Sequence, residues 1–257
     1  MMTLSSRQNP LIKDILSLRQ KKYRYESKHY MIEGTKNVRE ALRYGAHLDH
    51  ILIDEEQPDL LEEFGEDSDR AVLVRDNIFK GLTDEKTPQG IMAVARFYSH
   101  SMDEILQEGD RFLILDRIQD PGNMGTLIRS ADAFGADGIL ISSDSCDVYS
   151  PKVVRAAMGS TFHVPFACAD TGRIMEALKE AGVFIIGTSP HADVGIGDME
   201  IKRPVAVILG NESGGIDDEI IAGCDDIVKI DMKGRAESLN AAVAGSILMY
   251  EIFLKNK

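Results

Sequence analysis

The chain has 257 residues, of which 44% are hydrophobic and 28% charged, and its formal net charge is −13 at pH 7. This length favours two domains, with a single large α/β domain as the alternative, and no apolar run approaches the roughly 18 residues of a membrane-spanning helix. The N-terminus lacks a signal peptide's apolar core, and Cys146, Cys168 and Cys224 form no CxxC pair. We therefore expect a cytoplasmic protein without disulfides or a metal site.

The charge is distributed unevenly along the chain. Residues 1–40 have a net charge of +5, whereas residues 41–100 and 101–257 have net charges of −7 and −11. Nucleic-acid backbones are bound through Lys and Arg, so the acidic body argues against such a partner, while the basic leading segment permits a local RNA or DNA contact. A solvated basic helix is the alternative, and the composition leaves both interpretations open.

The first hundred residues predict a small alternating α/β unit. One helix is expected over residues 6–24, with Pro10 in its first turn and apolar residues at helical spacing. Short apolar runs predict strands at 30–33, 50–53, 71–74 and 90–95, with helices at 37–44 and 55–64. Residues 96–110 are mostly polar and irregular, so we place the two domains at residues 1–100 and 108–257 on either side of this stretch.

The second domain predicts an open, mostly parallel α/β sheet. Its strands are near-continuous apolar runs, typical of parallel strands covered on both faces, at 112–115, 138–141, 183–186, 205–209 and 227–230. Helices are expected between them at 124–134, 151–158, 171–181, 216–222 and 238–254. Ligands of such sheets bind beyond the carboxyl ends of the strands, and polar or glycine-rich loops follow three of these strands.

The first of these loops covers residues 116–125 and leads into a helix. Pro121 and Gly122 predict a turn, and Gly125 permits close approach of a ligand or a neighbouring strand. Arg129 is expected one turn into the helix on the side of Gly125, directed back to the loop, where it can hold a phosphate. The alternative is that Arg129 is a surface cation and Gly125 a packing residue.

The same region imitates a dinucleotide-binding unit. A strand, a glycine turn, a helix and a strand are followed by Asp144 at about the distance expected for a ribose-binding acid. The turn from Gly122 to Gly125 nevertheless reads G-x-x-G and not G-x-G-x-x-G. The glycine needed beside a pyrophosphate is therefore missing, which argues against NAD binding.

The other two loops place polar side chains after apolar strands. Gly210 gives backbone access, and Glu212 is a candidate base or an anchor for a sugar hydroxyl, or else a cap for the helix near residue 216. Ser238 and Asn240 are expected to open the last helix and to hold backbone donors or a ligand. That helix has an apolar stripe and many small residues, which suits packing against the sheet or across a dimer; the stripe comprises Leu239, Val243, Ile247, Tyr250 and Leu254.

At these loops the chain resembles the SpoU/TrmH family of RNA ribose 2′-O-methyltransferases, part of the SPOUT superfamily. The similar stretches are residues 120–131, 208–212 and 230–240, with a further one at 151–160. The resemblance covers residues 111–254, and residues 5–95 are more weakly similar to the family's smaller N-terminal substrate-binding domain. This chain departs from the family pattern at Asp231, where proline is usual, and at Ala241-Ala242, where a larger pair is common.

The resemblance implies a fold, a cofactor and an assembly. The second domain is expected to contain a C-terminal trefoil knot, to bind S-adenosylmethionine and to form a homodimer with active sites near the interface. Cofactor-binding positions carried over from the family are Thr188, Gly210, Asn211, Ile230, Met232 and Leu239. The added negative charge of Asp231 either suits a cationic sulfonium or faces solvent.

The resemblance also implies a reaction, in which a ribose 2′-hydroxyl attacks the sulfonium methyl in line and no metal is needed. The residues expected to act are Asn123, Arg129, Glu212, Ser238 and Asn240. Arginine is normally protonated, so we favour Arg129 as a phosphate clamp and polariser of the hydroxyl, and its deprotonation is left open.

The expected RNA, ribosomal or transfer, would be held by basic residues of the N-terminal segment and of the helix near residue 151. Lys152 and Arg155 are three residues apart and predict a two-cation patch on that helix. The RNA-binding set comprises Arg7, Lys13, Lys21, Lys22, Arg24, Lys152 and Arg155. A non-catalytic RNA-binding relative and a nucleotide-dependent oxidoreductase stay as alternatives, distinguished by binding of S-adenosylmethionine or NAD(P).

Overall fold

The computed structural model describes residues 3–64, 70–236 and 238–255, which belong to two compact units. The first unit combines Met1–Tyr98 with Asp147–Phe162, and the second combines Ser99–Cys146 with His163–Lys257. Residues 147–162 lie within the range 108–257 that the sequence assigns to the second domain. The packing units and the sequence-based domains therefore differ at this segment.

The first unit is built on a five-stranded mixed sheet. Its strands are β1 (Thr3–Leu4), β2 (His29–Glu33), β3 (Leu48–Asp54), β4 (Ala71–Val74) and β5 (Ile91–Arg96), and its helices within residues 1–98 are α1 (Pro10–Ser17), α2 (Lys21–Ser27), α3 (Thr35–Arg43), α4 (Leu60–Glu63) and α5 (Asp76–Leu82). The strand order is β1-β4-β3-β5-β2, with β5 antiparallel to both neighbours. Apolar residues of α1 and α5 pack on one face of this sheet, and Ile12 and Phe79 are fully buried there.

The single helix expected at residues 6–24 is wrong, because α1 and α2 are separated by a short connection. The side chain of Asn9 caps the start of α1, in agreement with Asn as a preferred cap. At the other end, the Arg24 guanidinium reaches back from α2 and donates to the Leu18 carbonyl at 2.6 Å. The acidic helix expected at 55–64 is also shorter and contains only α4.

The second unit contains a seven-stranded sheet in which every pair of neighbouring strands is parallel. The elements from residue 99 onward are α6 (Met102–Glu108), β6 (Arg111–Leu115), α7 (Pro121–Ala133), β7 (Gly138–Ser142), α8 (Pro151–Ala157, in the first unit), β8 (Phe166–Ala169), α9 (Thr171–Glu180), β9 (Phe184–Thr188), β10 (Val194–Gly195), β11 (Val205–Leu209), α10 (Asp218–Ile221), β12 (Asp226–Lys229), α11 (Ala241–Met249) and a π-helical segment (Tyr250–Lys255). The strand order is β10-β12-β9-β11-β6-β7-β8.

Helices cover both faces of this sheet, as the apolar strands predict. Helices α6, α9 and α10 pack on the face that carries Phe112 and Ile208. Helix α11 packs against α7 and β11 on the opposite face. The contact is closest at Gly245, where an added Cβ would lie 2.3 Å from Leu209 Cδ1 and 2.4 Å from Leu127 Cδ2. The small residues of α11 therefore allow close packing within the unit.

Two expectations about helix ends are wrong. Helix α7 already begins at Pro121, so Pro121 and Gly122 form its first turn and not a separate turn, because the Asp120 carboxylate caps the helix by accepting from the Asn123 N–H at 2.8 Å. The last helix begins at Ala241, with Asn240 as its cap, and not at residue 238.

Three of the five residues in the apolar stripe of the last helix face outward, and the other two, Leu239 and Ile247, are half-buried. Val243, Tyr250 and Leu254 are 49%, 43% and 38% exposed, whereas the buried side of α11 includes Ala242 and Leu248. Packing of these three residues against the sheet, which was one of the two alternatives, is therefore wrong, and packing across a dimer stays a prediction. The hydrophobic pattern alone did not distinguish the two sides, because α11 is apolar nearly all round.

Candidate active site

The carboxyl ends of four adjacent parallel strands form one edge of the second unit's sheet. Thr188 ends β9, and Gly210 and Ile230 directly follow β11 and β12. Asp116 directly follows β6, the next strand along. The structure thus places three of the six expected cofactor positions along the edge at which open α/β sheets bind ligands.

A chain of hydrogen bonds joins the three loops that the sequence singled out. The Asn123 side-chain amide donates to a Glu212 carboxylate oxygen at 3.1 Å. The side-chain amide nitrogen of Asn240 in turn donates to the side-chain oxygen of Asn123 at 2.9 Å. Three of the five expected catalytic residues are therefore in direct contact, although they are separated by 89 and 117 positions in the chain.

Glu212 binds the entrance of α7 and not the helix near residue 216, so the capping alternative is wrong. Its two carboxylate oxygens also accept from the backbone N–H groups of Gln119 and Asp120, each at 3.2 Å. Burial raises the pKa of Glu212, but the hydrogen bonds from Asn123 and from backbone N–H groups outweigh burial, so the pKa lies below its ordinary value. Glu212 is thus held as a carboxylate at the positive end of a helix.

We expect Glu212→Gln to remove one component of the protein's pH-dependent stability. Because the folded-state pKa of Glu212 is lowered, its contribution is present above the unfolded value of about 4.3 and is lost as pH falls through the folded value. The wild type should therefore be more stable than the variant at pH 7, and the difference should shrink towards pH 3. Denaturant unfolding across this pH range measures it, with exposed Glu219→Gln of α10 as the control. A difference that does not change with pH would contradict the prediction.

The loop that carries Glu212 has a closely packed backbone. An added Cβ at Gly210 would lie 2.3 Å from the Gly215 carbonyl carbon, so no larger residue fits there without a shift of the backbone. The side-chain oxygen of Asn211 accepts from the backbone N–H groups of Ser213 and Gly214, and its side-chain amide nitrogen donates to the backbone carbonyl of Arg117 at 3.0 Å. The Asn211 side chain therefore shapes the loop.

Asp116 and Arg117 connect this loop to the end of β6 through hydrogen bonds and ion pairs. Neither residue was predicted from the sequence to have a role. The buried Asp116 carboxylate accepts from Arg117 Nε at 3.0 Å and from the Thr171 hydroxyl at 2.7 Å. The Arg117 guanidinium also donates to the Gly215 carbonyl at 3.3 Å and pairs with Asp217 at 2.8 Å. The sequence signal that could have identified these two residues is an acidic residue followed by an arginine directly after an apolar strand, where the strand ends at the ligand-binding edge of the sheet.

Arg129 lies farther along α7 than expected. Because the helix begins at Pro121, Arg129 is its ninth residue, and not one turn from the helix start. Its side chain is exposed, and no hydrogen bond or ion pair joins it to another of the residues that the structure describes. It is therefore not part of the hydrogen-bond chain formed by Asn123, Glu212 and Asn240.

The remaining site residues of the third motif lie in the segment between β12 and α11. Ser238 is exposed, Leu239 is half-buried, and Met232 is 39% exposed. Glu237, which belongs to the same motif, lies outside the described residues. Among the described residues, no side-chain hydrogen bond joins these three positions to the group formed by Asn123, Glu212 and Asn240.

The residues at this edge suit a cofactor with a positively charged sulfonium. An added Cβ on Gly195, the last residue of β10, would lie 2.3 Å from an Asp231 carboxylate oxygen, so Asp231 lies at the carboxyl edge. The ends of β9, β11 and β12 bring backbone carbonyl groups to the same edge. A carboxylate and carbonyl dipoles are the groups that stabilise a nearby cation.

Two of the residues expected to bind RNA are engaged within the first unit. Arg24 is buried, and its Nε donates to the Asp147 carboxylate at 3.0 Å. The prediction that Arg24 is a surface cation that binds RNA is therefore wrong. Arg155 pairs with Glu33 at 3.4 Å and with Glu85 at 2.8 Å. Lys152 is exposed, but the expected two-cation patch is wrong because the charge of Arg155 is neutralised. The other expected RNA-binding residues are exposed: Arg7, Lys13, Lys21 and Lys22.

None of the helices in the described ranges is long and apolar enough to cross a membrane. Within the same ranges, no group of three or more His, Cys, Asp or Glu side chains is placed to hold a metal ion.

Two family models match consecutive parts of the chain. The SpoU rRNA Methylase family matches residues 110–250, and the MRM3-like substrate binding domain matches residues 9–93. Among characterised relatives, the 23S rRNA (guanosine(2553)-2′-O)-methyltransferase RlmP of Bacillus subtilis is 33% identical over 254 residues, covering 98% of this chain and 99% of the relative.

Solved structures of similar proteins align over nearly the whole chain. The AdoMet-bound rRNA methyltransferase from Sinorhizobium meliloti is 33% identical, with a TM-score of 0.89 over 97% of this chain and 96% of that one. The SpoU methyltransferase AviRb from Streptomyces viridochromogenes, in complex with AdoMet, is 29% identical, with a TM-score of 0.84 over 95% and 97%. The chain therefore belongs to the SpoU/TrmH family of S-adenosylmethionine-dependent RNA ribose 2′-O-methyltransferases.

Proposed function

We propose that this methyltransferase modifies a ribose 2′-hydroxyl of large-subunit ribosomal RNA. The relative RlmP, which aligns with nearly the whole chain, is named for a guanosine of 23S rRNA. A solved structure that concerns 2-OH methylation of C/U34 on tRNA aligns with only 56% of this chain. The observation that carries the proposed site is the hydrogen-bond chain of Glu212, Asn123 and Asn240, which joins three loops at the carboxyl edge of the sheet.

The residues of the carboxyl edge are proposed to bind and orient the cofactor. S-adenosylmethionine supplies a methyl group that is attached to a positively charged sulfonium. Thr188, Gly210 and Ile230 contribute backbone carbonyl groups at the strand ends, and Asp231 adds a negative charge. Asn211 shapes the loop around the site, whereas Met232 and Leu239 offer apolar contact.

The polar residues of α7 and α11 are proposed to position the RNA ribose. Arg129 holds a phosphate and polarises the 2′-hydroxyl, whose proton must be drawn off for attack. The carboxylate of Glu212 orients the amide of Asn123, and Asn123 in turn orients Asn240. Ser238 is exposed and lies close to Asn240 in the sequence. It is the fifth residue proposed to position the ribose.

We also propose that the enzyme is a homodimer with a knotted second domain, and that it is cytoplasmic. The exposed apolar stripe of α11 supports a second copy as its partner, because large exposed apolar patches mark interaction surfaces. Tyr250 in this stripe contacts Phe134 of α7, with ring centroids 5.8 Å apart. Light scattering should give twice the mass of the 28.4 kDa chain; a single-chain mass would contradict the dimer.

The test is transfer of labelled methyl groups from S-adenosylmethionine by the full chain. Purified large-subunit rRNA and total tRNA are the two substrates, and protection from alkaline cleavage identifies a 2′-O-methyl product. We expect label in large-subunit rRNA alone. Label in tRNA alone would contradict the choice of RNA, and label in neither would contradict the proposed function.

A further inference from the structure

Helix α2 presents tyrosines and lysines together on the surface of the first unit. Tyr23 and Tyr25 are 40% and 37% exposed. Lys22 Nζ lies 5.8 Å from the centroid of the Tyr23 ring, and Lys21 Nζ lies 5.4 Å from that of Tyr25. Each of these two exposed aromatic side chains therefore lies beside a lysine.

The exposed ring of Tyr25 continues into an ordered aromatic cluster. Its centroid is 5.1 Å from that of half-buried Phe97, edge to face, and Phe97 stacks on Tyr149 at 3.8 Å. Lys28 Nζ lies 5.7 Å from both the Tyr25 and the Phe97 rings. The α2 surface, defined as Lys21, Lys22, Tyr23, Tyr25, Lys28 and Phe97, therefore combines ring faces with positive charge.

The orientation of this surface is fixed from beneath by a buried ion pair. Arg24 lies between the two tyrosines in sequence but points inward, where its guanidinium binds the Asp147 carboxylate. The other oxygen of that carboxylate accepts from the Tyr25 hydroxyl at 3.3 Å. Because the ring of Tyr25 is already held, a ligand that stacks on it loses little side-chain entropy.

The charge of the α2 surface favours an anionic partner. Lys21, Lys22 and Lys28 are exposed, and the exposed Glu26 lies 3.8 Å from Lys22, so these four side chains keep a positive net charge. A basic surface with exposed rings is the combination that binds unpaired nucleic acid, in which lysines contact phosphates and bases stack on aromatic rings. A duplex hides the faces of its bases in the stack and can use only the lysines.

We propose that the α2 surface binds unpaired nucleotides of the RNA substrate by stacking at least one base on Tyr23 or Tyr25. This inference rests on the proposed function, because it takes RNA as the ligand. The sequence predicted that the basic N-terminal segment binds phosphates. With the α2 surface, this segment also recognises a single-stranded region of the RNA. Arg24 becomes a positioning residue of the same surface.

The test compares binding of a short single-stranded RNA without self-complementarity with binding of the same strand annealed to its complement. We expect the double variant Tyr23→Leu, Tyr25→Leu to weaken single-strand binding about tenfold and to leave duplex binding unchanged. Tyr23→Phe, which keeps the ring, should bind like the wild type. Tyr44→Leu is the matched control. Tyr44 is 47% exposed, and the guanidinium carbon of Arg43 lies 5.8 Å from the centroid of its ring, so it is also an exposed tyrosine beside a cation.

The dependence of binding on salt separates stacking from charge. Tyr23→Leu should leave the slope of log affinity against log salt unchanged, whereas Lys22→Gln should reduce it by about 0.7 for a single strand. Wild-type single-strand affinity in the double variant Tyr23→Leu, Tyr25→Leu, or an equal loss in Tyr44→Leu, would overturn the proposal. Methyl transfer is measured separately, so an inactive protein that still binds single strands through Tyr23 would contradict the proposed function and not this inference.

Discussion

Replacing Arg129 with Ala is expected to lower the rate of methyl transfer about 10²–10⁴-fold. The physical reason is that a ribose hydroxyl is a poor nucleophile and needs a positioned group that polarises it and holds the adjacent phosphate. Arg129 is exposed on α7 and has no hydrogen bond or ion pair to another residue in the described ranges, so its guanidinium is available to RNA. Single-turnover transfer to rRNA measures the effect.

The affinity for S-adenosylmethionine should remain unchanged in the same variant, because the proposed cofactor residues follow β9, β11 and β12 and not α7. Arg129→Lys keeps the charge but loses the planar fork that binds phosphate through two hydrogen bonds, and we expect intermediate activity. Lys179→Ala is the control, since Lys179 is an exposed cation in the last turn of α9, at the opposite edge of the sheet. Wild-type turnover of Arg129→Ala would refute the proposed role.

Replacing Arg24 with Ala is expected to lower the free energy of unfolding of the first unit by about 3–5 kcal/mol. The side chains of Arg24 and Asp147 are only 4% and 6% exposed, so removal of the guanidinium leaves a buried carboxylate without its counter-charge. The variant also loses the hydrogen bond that caps α1 at the Leu18 carbonyl. The effect should therefore be much larger than for a surface cation.

Tyrosine fluorescence during denaturant unfolding reports this change selectively. The chain has no Trp and seven Tyr, and the six tyrosines other than Tyr250 belong to the first unit. Lys22→Ala on the same helix is the control and should change stability by less than about 0.5 kcal/mol. The double variant Arg24→Met, Asp147→Leu should recover most of the loss, because no buried charge is left. A loss below about 1 kcal/mol in Arg24→Ala would contradict the prediction.

Local patterns in the sequence were sufficient for most of the second unit's sheet. Five of its strands were predicted within a few residues of where β6, β7, β9, β11 and β12 lie, because buried parallel strands are continuous apolar runs bounded by polar loops. The short strands β8 and β10 were not predicted, since β10 has only two residues and neither produces such a run.

The helices were predicted less well where tertiary contacts decide their ends. The break between α1 and α2 depends on Arg24, whose partner Asp147 is 123 positions away. The exposure of the α11 stripe depends on Gly245, where the backbone approaches Leu209 and Leu127. Neither contact leaves a signal in the local periodicity of the sequence.

The sequence by itself determined the family, the α/β class and the residues of three separated motifs. Each motif is a short polar or glycine-containing stretch after an apolar strand, and such a stretch can be identified from the local sequence alone. Only the tertiary structure decided how these residues are used. It joined Asn123 to Glu212 and Asn240, and it turned Arg24 inward while leaving its neighbouring tyrosines exposed. The physical reason is that burial and hydrogen bonding depend on distance in space, which residues far apart in the chain do not reveal.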